Sequence, residues 1–191
     1  MLIRRAADHV RMPWANGLGT TLELVVHPAG ASMAAMDWRI SIATVAQPGP
    51  FSLLPGIDRV LLLLDDVDAV LAVDTRTTTM RRFDQVRFSG DSEVALVAVS
   101  GPAHDLNLMT RRGRWSGSMH VVDLADGVTS GDVDATEVWL LVAAGTAIAV
   151  EGGTTADLGG LDLVRLDGTT RVSGQGHAVV IEIDEVGPPA G

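Results

Sequence analysis

An arginine within an alternating strand is the first residue whose type and spacing could do chemistry. In the segment Asp-Trp-Arg-Ile-Ser-Ile-Ala, Trp38, Ile40 and Ile42 point to one face of a strand, while Arg39 and Ser41 point to the other. A guanidinium beside a hydroxyl and a small residue suits a carboxylate or a phosphate. The pattern leaves two positions open for Arg39: bulk solvent, or the lining of a polar cavity.

A second arginine, Arg59, follows Asp58 at the entrance of a later strand. If both arginines face one cavity, Arg39 and Arg59 would hold a carboxylate by charge-assisted hydrogen bonds, and Asp58 would orient Arg59. The alternative is that Asp58 and Arg59 pair with neighbouring side chains and only fix the loop before the strand.

Further along, residues 105–112 alternate, so that Asp105, Asn107, Met109 and Arg111 share one face. Asparagine offers both a donor and an acceptor, which suits the amide or formyl group of a ligand. We therefore add Asn107 and Met109 to Arg39, Ser41, Asp58 and Arg59 as candidate ligand-binding residues.

Two aromatic residues and a second asparagine complete the candidate site. Asn16 would read an amide or acyl oxygen together with Asn107, while Trp14 and Phe51 would wall the cavity and lower its effective dielectric constant. Each has a structural alternative: Asn16 with the following glycine is a strong turn signal, and Trp14 could close the end of a barrel as a core residue.

Metal and nucleophile chemistry have little support in the residue types. The five histidines are at least 16 residues apart, there is no His-x-His pair, and cysteine is absent. Lysine and tyrosine are absent too, which excludes a Schiff-base lysine and a catalytic tyrosine. We predict no metal site, no cofactor and no catalytic residue.

Strand signals dominate the elements that must position these residues. Short aliphatic or β-branched runs recur between Gly, Pro, Asp, Ser and Thr, and no window has a helical period over twelve residues. The predicted strands are 22–27, 38–45, 59–64, 69–73, 85–88, 94–99, 120–124, 137–142, 147–150, 163–166 and 178–183. The pattern predicts an all-β sandwich or barrel.

An internal repeat divides the chain. The run 60–64 lies 78 residues before 138–142, and FDQVRFSG (83–90) matches LDLVRLDG (161–168) at the same offset. The last matching strand lies at a larger offset, which we attribute to extra residues in a glycine-rich turn at 173–176. We predict two β-barrel units, 1–112 with the site and 113–191 as a degenerate repeat; convergent strand patterning is the alternative.

Charge separates the two halves and excludes some partners. Residues 1–112 hold 11 arginines against 12 acidic residues, while residues 113–191 hold 3 against 12, and the whole chain has a net charge of −10. Such a chain repels nucleic acid and anionic membranes. With no membrane-spanning run, no secretory signal and no cysteine, we expect a soluble cytoplasmic protein.

Five segments in register resemble the HutD/Ves family, a bicupin branch of the cupin superfamily. They are MPWANGLG (12–19), WRISIA (38–43), GPFS (49–52), PGIDR (55–59) and DLNLMTRR (105–112). The resemblance implies two cupin-like barrels, a link to histidine utilisation and a small acidic metabolite bound for regulation rather than turnover. Ala15 replaces the family's usual lysine and Leu18 its middle glycine.

Three hypotheses follow. The leading one is a non-catalytic, metal-free protein that binds a small anionic metabolite of the acyl or formyl amino acid type. The second is a cupin isomerase or hydrolase that uses Asp58, Glu23 or His27 as its base. The third is a structural protein whose acidic second barrel forms a homodimer. Both arginines projecting into bulk water, with an interior packed solid by aliphatic side chains, would exclude the first hypothesis.

Overall fold

The chain folds almost entirely into β-strands. The structure is a computed structural model that describes residues 1–14, 19–132 and 134–187. These residues form seventeen strands and two single-turn 3-10 helices, Ala6–Asp8 and Ser130–Asp132, and they contain no α-helix. The prediction of an all-β fold is therefore confirmed, and no helix in these ranges has the length and apolar character needed to cross a membrane.

Two compact units make up the chain. The N-terminal unit is Val10–Ser116 with the residues from Val186, and the C-terminal unit is Met1–His9 with Gly117–Glu185. The first residues join the C-terminal unit because Ile3 and Arg4 form β1 (Ile3–Arg4), which pairs with β16 (Leu163–Arg165). The predicted division after residue 112 lies four residues before the observed one.

The N-terminal unit contains two antiparallel sheets. The six-stranded sheet has the order β2 (Val10–Pro13), β3 (Gly19–His27), β4 (Trp38–Val45), β11 (Ala103–Arg111), β6 (Ile57–Leu63) and β9 (Gln85–Ser89). The four-stranded sheet has the order β5 (Gly49–Pro50), β10 (Val94–Val99), β7 (Ala69–Val73) and β8 (Arg76–Met80). Apolar side chains from both sheets, such as Leu61, Leu71 and Leu96, share one buried cluster.

The strand register places the candidate residues side by side. β11 lies between β4 and β6, and Met109 is opposite Arg39 on one side and Arg59 on the other. Two residues along, Asn107 is opposite Ser41. Because side chains at i and i+2 lie on the same face of a strand, three strands present these five side chains to one side of the sheet.

The C-terminal unit is a single sheet of seven strands. Its central order is β1, β16, β14 (Glu137–Glu151), β17 (Arg171–Glu185) and β12 (Trp115–Asp123), with β15 (Thr154–Leu158) on β14 and β13 (Val128–Thr129) on β17. In every sheet of the described residues the hydrogen-bonded order is open. The prediction of two closed cupin barrels is therefore not confirmed.

The predicted turn at 173–176 is wrong, because β17 runs through it. Gly174 and Gly176 lie against the backbone of β14, where a Cβ on Gly174 would collide with the Thr146 carbonyl oxygen. The prediction also divided β14 in two, but Gly145, with a φ of +94°, continues the strand after a bulge between Val142 and Ala144. These glycines serve close backbone approach rather than a reversal of the chain.

One turn recurs at the offset of the sequence repeat. Asp84 Oδ2 accepts a hydrogen bond from the Arg81 amide at 2.8 Å, and Asp162 Oδ2 accepts one from the Gly159 amide at 3.0 Å. Phe83 lies between Arg81 and Asp84, and Leu161 lies between Gly159 and Asp162. These two residues have φ values of 69° and 66°. The repeat seen in the sequence therefore extends to the backbone and side-chain geometry of this turn.

Candidate functional site

A cavity of about 420 Å³ lies on the face of the six-stranded sheet that carries the arginines. Seven of the nine residues predicted to bind a ligand line it: Trp14, Arg39, Ser41, Phe51, Arg59, Asn107 and Met109. It is bounded partly by apolar residues from outside that sheet, among them Met33, Pro50 and Leu54, which the sequence patterns did not indicate. The alternative of a purely solvent-facing Arg39 is wrong, since only 6% of that residue is exposed.

Arg39 is held by an ion pair within the sheet. Its Nε donates to Glu23 Oε2 at 2.8 Å, and its Nη1 lies 3.4 Å from Ser41 Oγ. Glu23 comes from β3, where it is opposite Ser41. Sequence reasoning named Glu23 only as a candidate base, because the pairing of β3 with β4 that brings it to Arg39 is not visible in local patterns.

Arg59 lies between two aromatic rings. Its guanidinium carbon is 5.3 Å from the Phe51 ring centre and 4.9 Å from that of Phe88, and its Nε donates to Asn107 Oδ1 at 3.3 Å. Burial lowers the pKa of Arg59 to about 10, with nearby Asp105 raising it and Arg39 lowering it further. The group stays cationic at neutral pH.

Asp105 is the buried carboxyl nearest to this cation. Burial raises its pKa to about 6, while the charge of Arg59 and a hydrogen bond from the Asn107 side chain act in the opposite direction. Asn107 therefore links the two groups, accepting from Arg59 and donating to Asp105. The sequence placed Asp105 on the face of Asn107 but gave it no role.

Trp14 combines both roles that the sequence left open. It lines the cavity and also packs against the apolar cluster of the N-terminal unit. Its indole Nε1 donates to Thr21 Oγ1 at 2.8 Å, and its backbone amide donates to the Gly19 carbonyl at 3.0 Å. The ring is thereby fixed at the cavity wall.

One predicted residue lies outside the cavity, and another lies outside the described residues. Asp58 precedes Arg59 on β6 and therefore points to the opposite face, where its Oδ1 lies 2.7 Å from Arg112 Nη2. The prediction that Asp58 orients Arg59 is accordingly corrected, since Asn107 and Asp105 occupy that position. Asn16 lies outside the described residues, as do the two departures from the family pattern, Ala15 and Leu18.

With this geometry in place, comparison with known proteins gives the family. The family model described as HutD matches residues 6–181. The chain belongs to the HutD family. This agrees with the resemblance seen in the sequence motifs, and the match extends well beyond them into the C-terminal unit.

Similar proteins support the same assignment. This HutD protein is 32% identical over 185 residues to an uncharacterized 21.2 kDa protein in the hutC 3′ region of Pseudomonas putida, covering 94% of this chain and 95% of that one. It is 39% identical over 121 residues to Protein Ves of Citrobacter koseri, covering 61% and 62% of the two chains.

Solved structures agree on the fold. HutD from Pseudomonas fluorescens SBW25, determined in a formate condition, has a TM-score of 0.82 at 29% identity, with 97% of this chain and 99% of that one covered. A cupin 2 conserved barrel domain protein from Leptotrichia buccalis has a TM-score of 0.56 at 8% identity, covering 86% and 88%, which shows a cupin-like fold alone.

The residues named for the enzyme hypothesis are engaged elsewhere in this HutD protein. Glu23 pairs with Arg39, and Asp58 pairs with Arg112. The His27 ring stacks on Trp38 with 5.3 Å between centres. Within the described ranges, no group of three or more His, Cys, Asp and Glu side chains is arranged to hold a metal ion.

Proposed function

We propose that this HutD protein binds a small carboxylate metabolite of the acyl or formyl amino acid type, without catalysis and without a metal ion. The observation that carries the proposal is that two buried arginines, Arg39 and Arg59, line one cavity. A buried guanidinium needs charged or hydrogen-bonding partners, and a carboxylate offers two coplanar oxygens that match its donors. The guanidiniums supply the positive charge that a metal ion would otherwise supply.

The neighbouring polar groups suit the rest of such a ligand. Asn107 uses one donor and one acceptor in its bonds to Asp105 and Arg59, so one further donor and one further acceptor remain for an amide or acyl oxygen. The Ser41 hydroxyl lies on the same face. These groups would distinguish an acylated amino acid from a plain carboxylate of similar size.

The cavity has the dimensions and walls of a small-molecule site. Its volume of about 420 Å³ lies in the range of roughly 300–1,000 Å³ that is usual for ligand pockets. Trp14, Phe51 and Met109 form an apolar wall beside the arginines. Such a wall excludes water and strengthens the charged hydrogen bonds within the cavity.

The relatives supply the biological context. One lies in the hutC 3′ region of its genome, and another was determined in a formate condition. We therefore place the proposed ligand among the carboxylates of histidine utilisation, with a regulatory role. Formate is the smallest probe of the carboxylate subsite.

Isothermal titration calorimetry at pH 6.5 tests the proposal with N-formyl-L-glutamate, L-glutamate and sodium formate. We expect saturable binding of the formylated amino acid, and we expect Arg59→Met to weaken it by at least about 30-fold, since removing one partner of a buried charge pair costs roughly 2–5 kcal/mol. The matched control is Arg76→Met, an exposed arginine of the same unit. Equal affinity in wild type and Arg59→Met would remove Arg59 from the site.

Measurements of turnover and of oligomeric state separate the other two hypotheses. Conversion of a histidine-pathway intermediate by metal-stripped protein would favour the isomerase or hydrolase. A homodimer that binds none of the three probes would favour the structural role, and it would overturn the proposed function.

A further inference from the structure

A carboxyl group lies buried next to the cation that would hold the ligand. Asp105 is 3% exposed and lies on β11, two residues before Asn107. Its Oδ1 has no hydrogen-bond partner among the described residues. This side chain adjoins a small internal void of about 20 Å³, enough for one water molecule, that is otherwise lined by apolar residues and by Phe51.

Few charged groups act on Asp105. Arg59 on β6 and His104 on its own strand act on it directly, while Arg39 on β4 acts on Arg59. Apart from Asp105 and Phe51, the residues that line the void come from β4, β6, β7, β8, β10 and β11, and all of them are apolar. Burial has the largest effect on the charge state of Asp105, and the charge around Arg59 has the next largest.

Without ligand, the charge of each guanidinium is already offset by a nearby carboxylate. Arg39 pairs with Glu23, which is part-exposed, and Arg59 faces the buried Asp105. A carboxylate that binds at Arg59 would bring a second negative charge to the one cation that Asp105 shares. Two anions on one buried cation repel each other, and a proton taken up by Asp105 removes that repulsion.

We infer that Asp105 is a positioning residue that couples carboxylate binding at Arg59 to the uptake of one proton. The inference deepens the proposed function and rests on it. The ligand stays a carboxylate, and the proton comes from solvent and is held by the Asp105 carboxyl. The unpartnered Oδ1, beside the void, is the atom with room for that proton.

The pH dependence of affinity follows from this coupling. Free Asp105, with a pKa of about 6, is mostly ionised at pH 7, and a bound anion raises that pKa further. Affinity should therefore fall as pH rises above 6, by up to about 50-fold between pH 6 and pH 8. The carboxyls of N-formyl-L-glutamate are already ionised throughout this range, so the ligand's own titration does not contribute.

Calorimetry with N-formyl-L-glutamate from pH 6 to pH 8, in two buffers of different ionisation enthalpy, measures both the affinity and the protons taken up. We expect uptake approaching one proton per ligand near pH 7. Asp105→Asn keeps an acceptor for Asn107 but holds no charge, so its affinity should stay level across the pH range, near the wild-type value at pH 6.

Two control variants isolate the residue responsible. His104→Gln removes the other side chain whose charge acts on Asp105, and it should keep the wild-type pH dependence. Glu23→Gln makes the corresponding change beside Arg39 and should keep that dependence as well. A pH-independent His104→Gln would assign the coupling to His104 and overturn the inference.

The outcomes separate this inference from the proposed function. Binding without proton uptake, or with the same uptake in Asp105→Asn, overturns the role of Asp105 and leaves the carboxylate site standing. The absence of binding by every probe at every pH overturns both. If Asp105→Asn does not fold, proton uptake by the wild type together with that by His104→Gln decides the question.

Discussion

The buried carboxyl of Asp105 should also make the stability of the free protein depend on pH. Burial raises its pKa from an ordinary 3.8 to about 6 in the folded protein. Between these values the folded protein holds a proton that the unfolded chain has released. The free energy of unfolding should therefore fall as pH rises through this window, and Asp105→Asn should remove that fall.

The size of the effect follows from the shift. About two pKa units correspond to about 3 kcal/mol, and roughly 2 kcal/mol of this lies between pH 4 and pH 7. The quantity to measure is the difference in unfolding free energy between Asp105→Asn and wild type, by urea denaturation at each pH. We expect this difference to increase by about 2 kcal/mol in favour of the variant from pH 4 to pH 7.

Taking the change in this difference, rather than its value at one pH, removes the constant effect of exchanging a hydroxyl for an amide. It also cancels the contributions of the other carboxyl groups, which are the same in both proteins. A difference that stays constant between pH 4 and pH 7 would refute the reasoning, because Asp105 would then titrate alike in the folded and unfolded chains.

Two further predictions concern the walls of the cavity. In Gly90→Ala, the new Cβ would collide with the Leu54 carbonyl oxygen, so we expect thermal denaturation to show a loss of unfolding free energy of about 2 kcal/mol or more. The control is Gly113→Ala, where a Cβ has open space but φ is +76°, and it should lose only about 1 kcal/mol. Equal losses in the two variants would refute the collision. Phe51→Leu removes one ring from beside Arg59 and should weaken ligand binding in calorimetry by about 1 kcal/mol, whereas unchanged affinity would show that this ring contributes nothing.

Local alternation predicted the part of the site that lies on single strands. The strands Trp38–Val45, Ala69–Val73 and Val94–Val99 have the predicted bounds, because their apolar runs end at turn-forming residues. Arg39 and Ser41 share a face since the period of a strand is two residues. The same rule, applied to Asp58, would have placed it on the face opposite Arg59.

The partners of the arginines could not be predicted in the same way. Glu23 reaches Arg39 through the pairing of β3 with β4, while Arg59, which is opposite Met109, extends along β11 to Asn107, two residues from Asp105. Register depends on the bulges and turns of the whole sheet, which no short segment of the sequence contains. The sequence therefore indicated which residue types would contact an anion, but not which carboxylates offset the charges of the arginines.

Polar edge strands and glycines account for some of the errors in the fold. The strand β8 is nearly all exposed and reads Arg-Thr-Thr-Thr-Met, so it has no apolar alternation to indicate it. Glycines in β14 and β17 were interpreted as breaks, although there they allow two backbones to approach. Glycine indicates both situations, and only the neighbouring strand distinguishes them.

The pairing of charges within the cavity limits how tightly a ligand can bind. Two unpaired buried guanidiniums would cost several kcal/mol; Glu23 pairs with Arg39, and the charge of Asp105 offsets part of the cost of Arg59, although the burial of Asp105 is itself unfavourable. A carboxylate that binds at Arg59 would take over the compensation that Asp105 provides rather than neutralise a free cation. Its net affinity must come from what the internal carboxylates do not offer: the remaining positions on Asn107 and the apolar wall of the cavity. If the proposed function holds, such a site would select a ligand by its acyl group as well as by its charge, and it would release that ligand when the proton leaves Asp105.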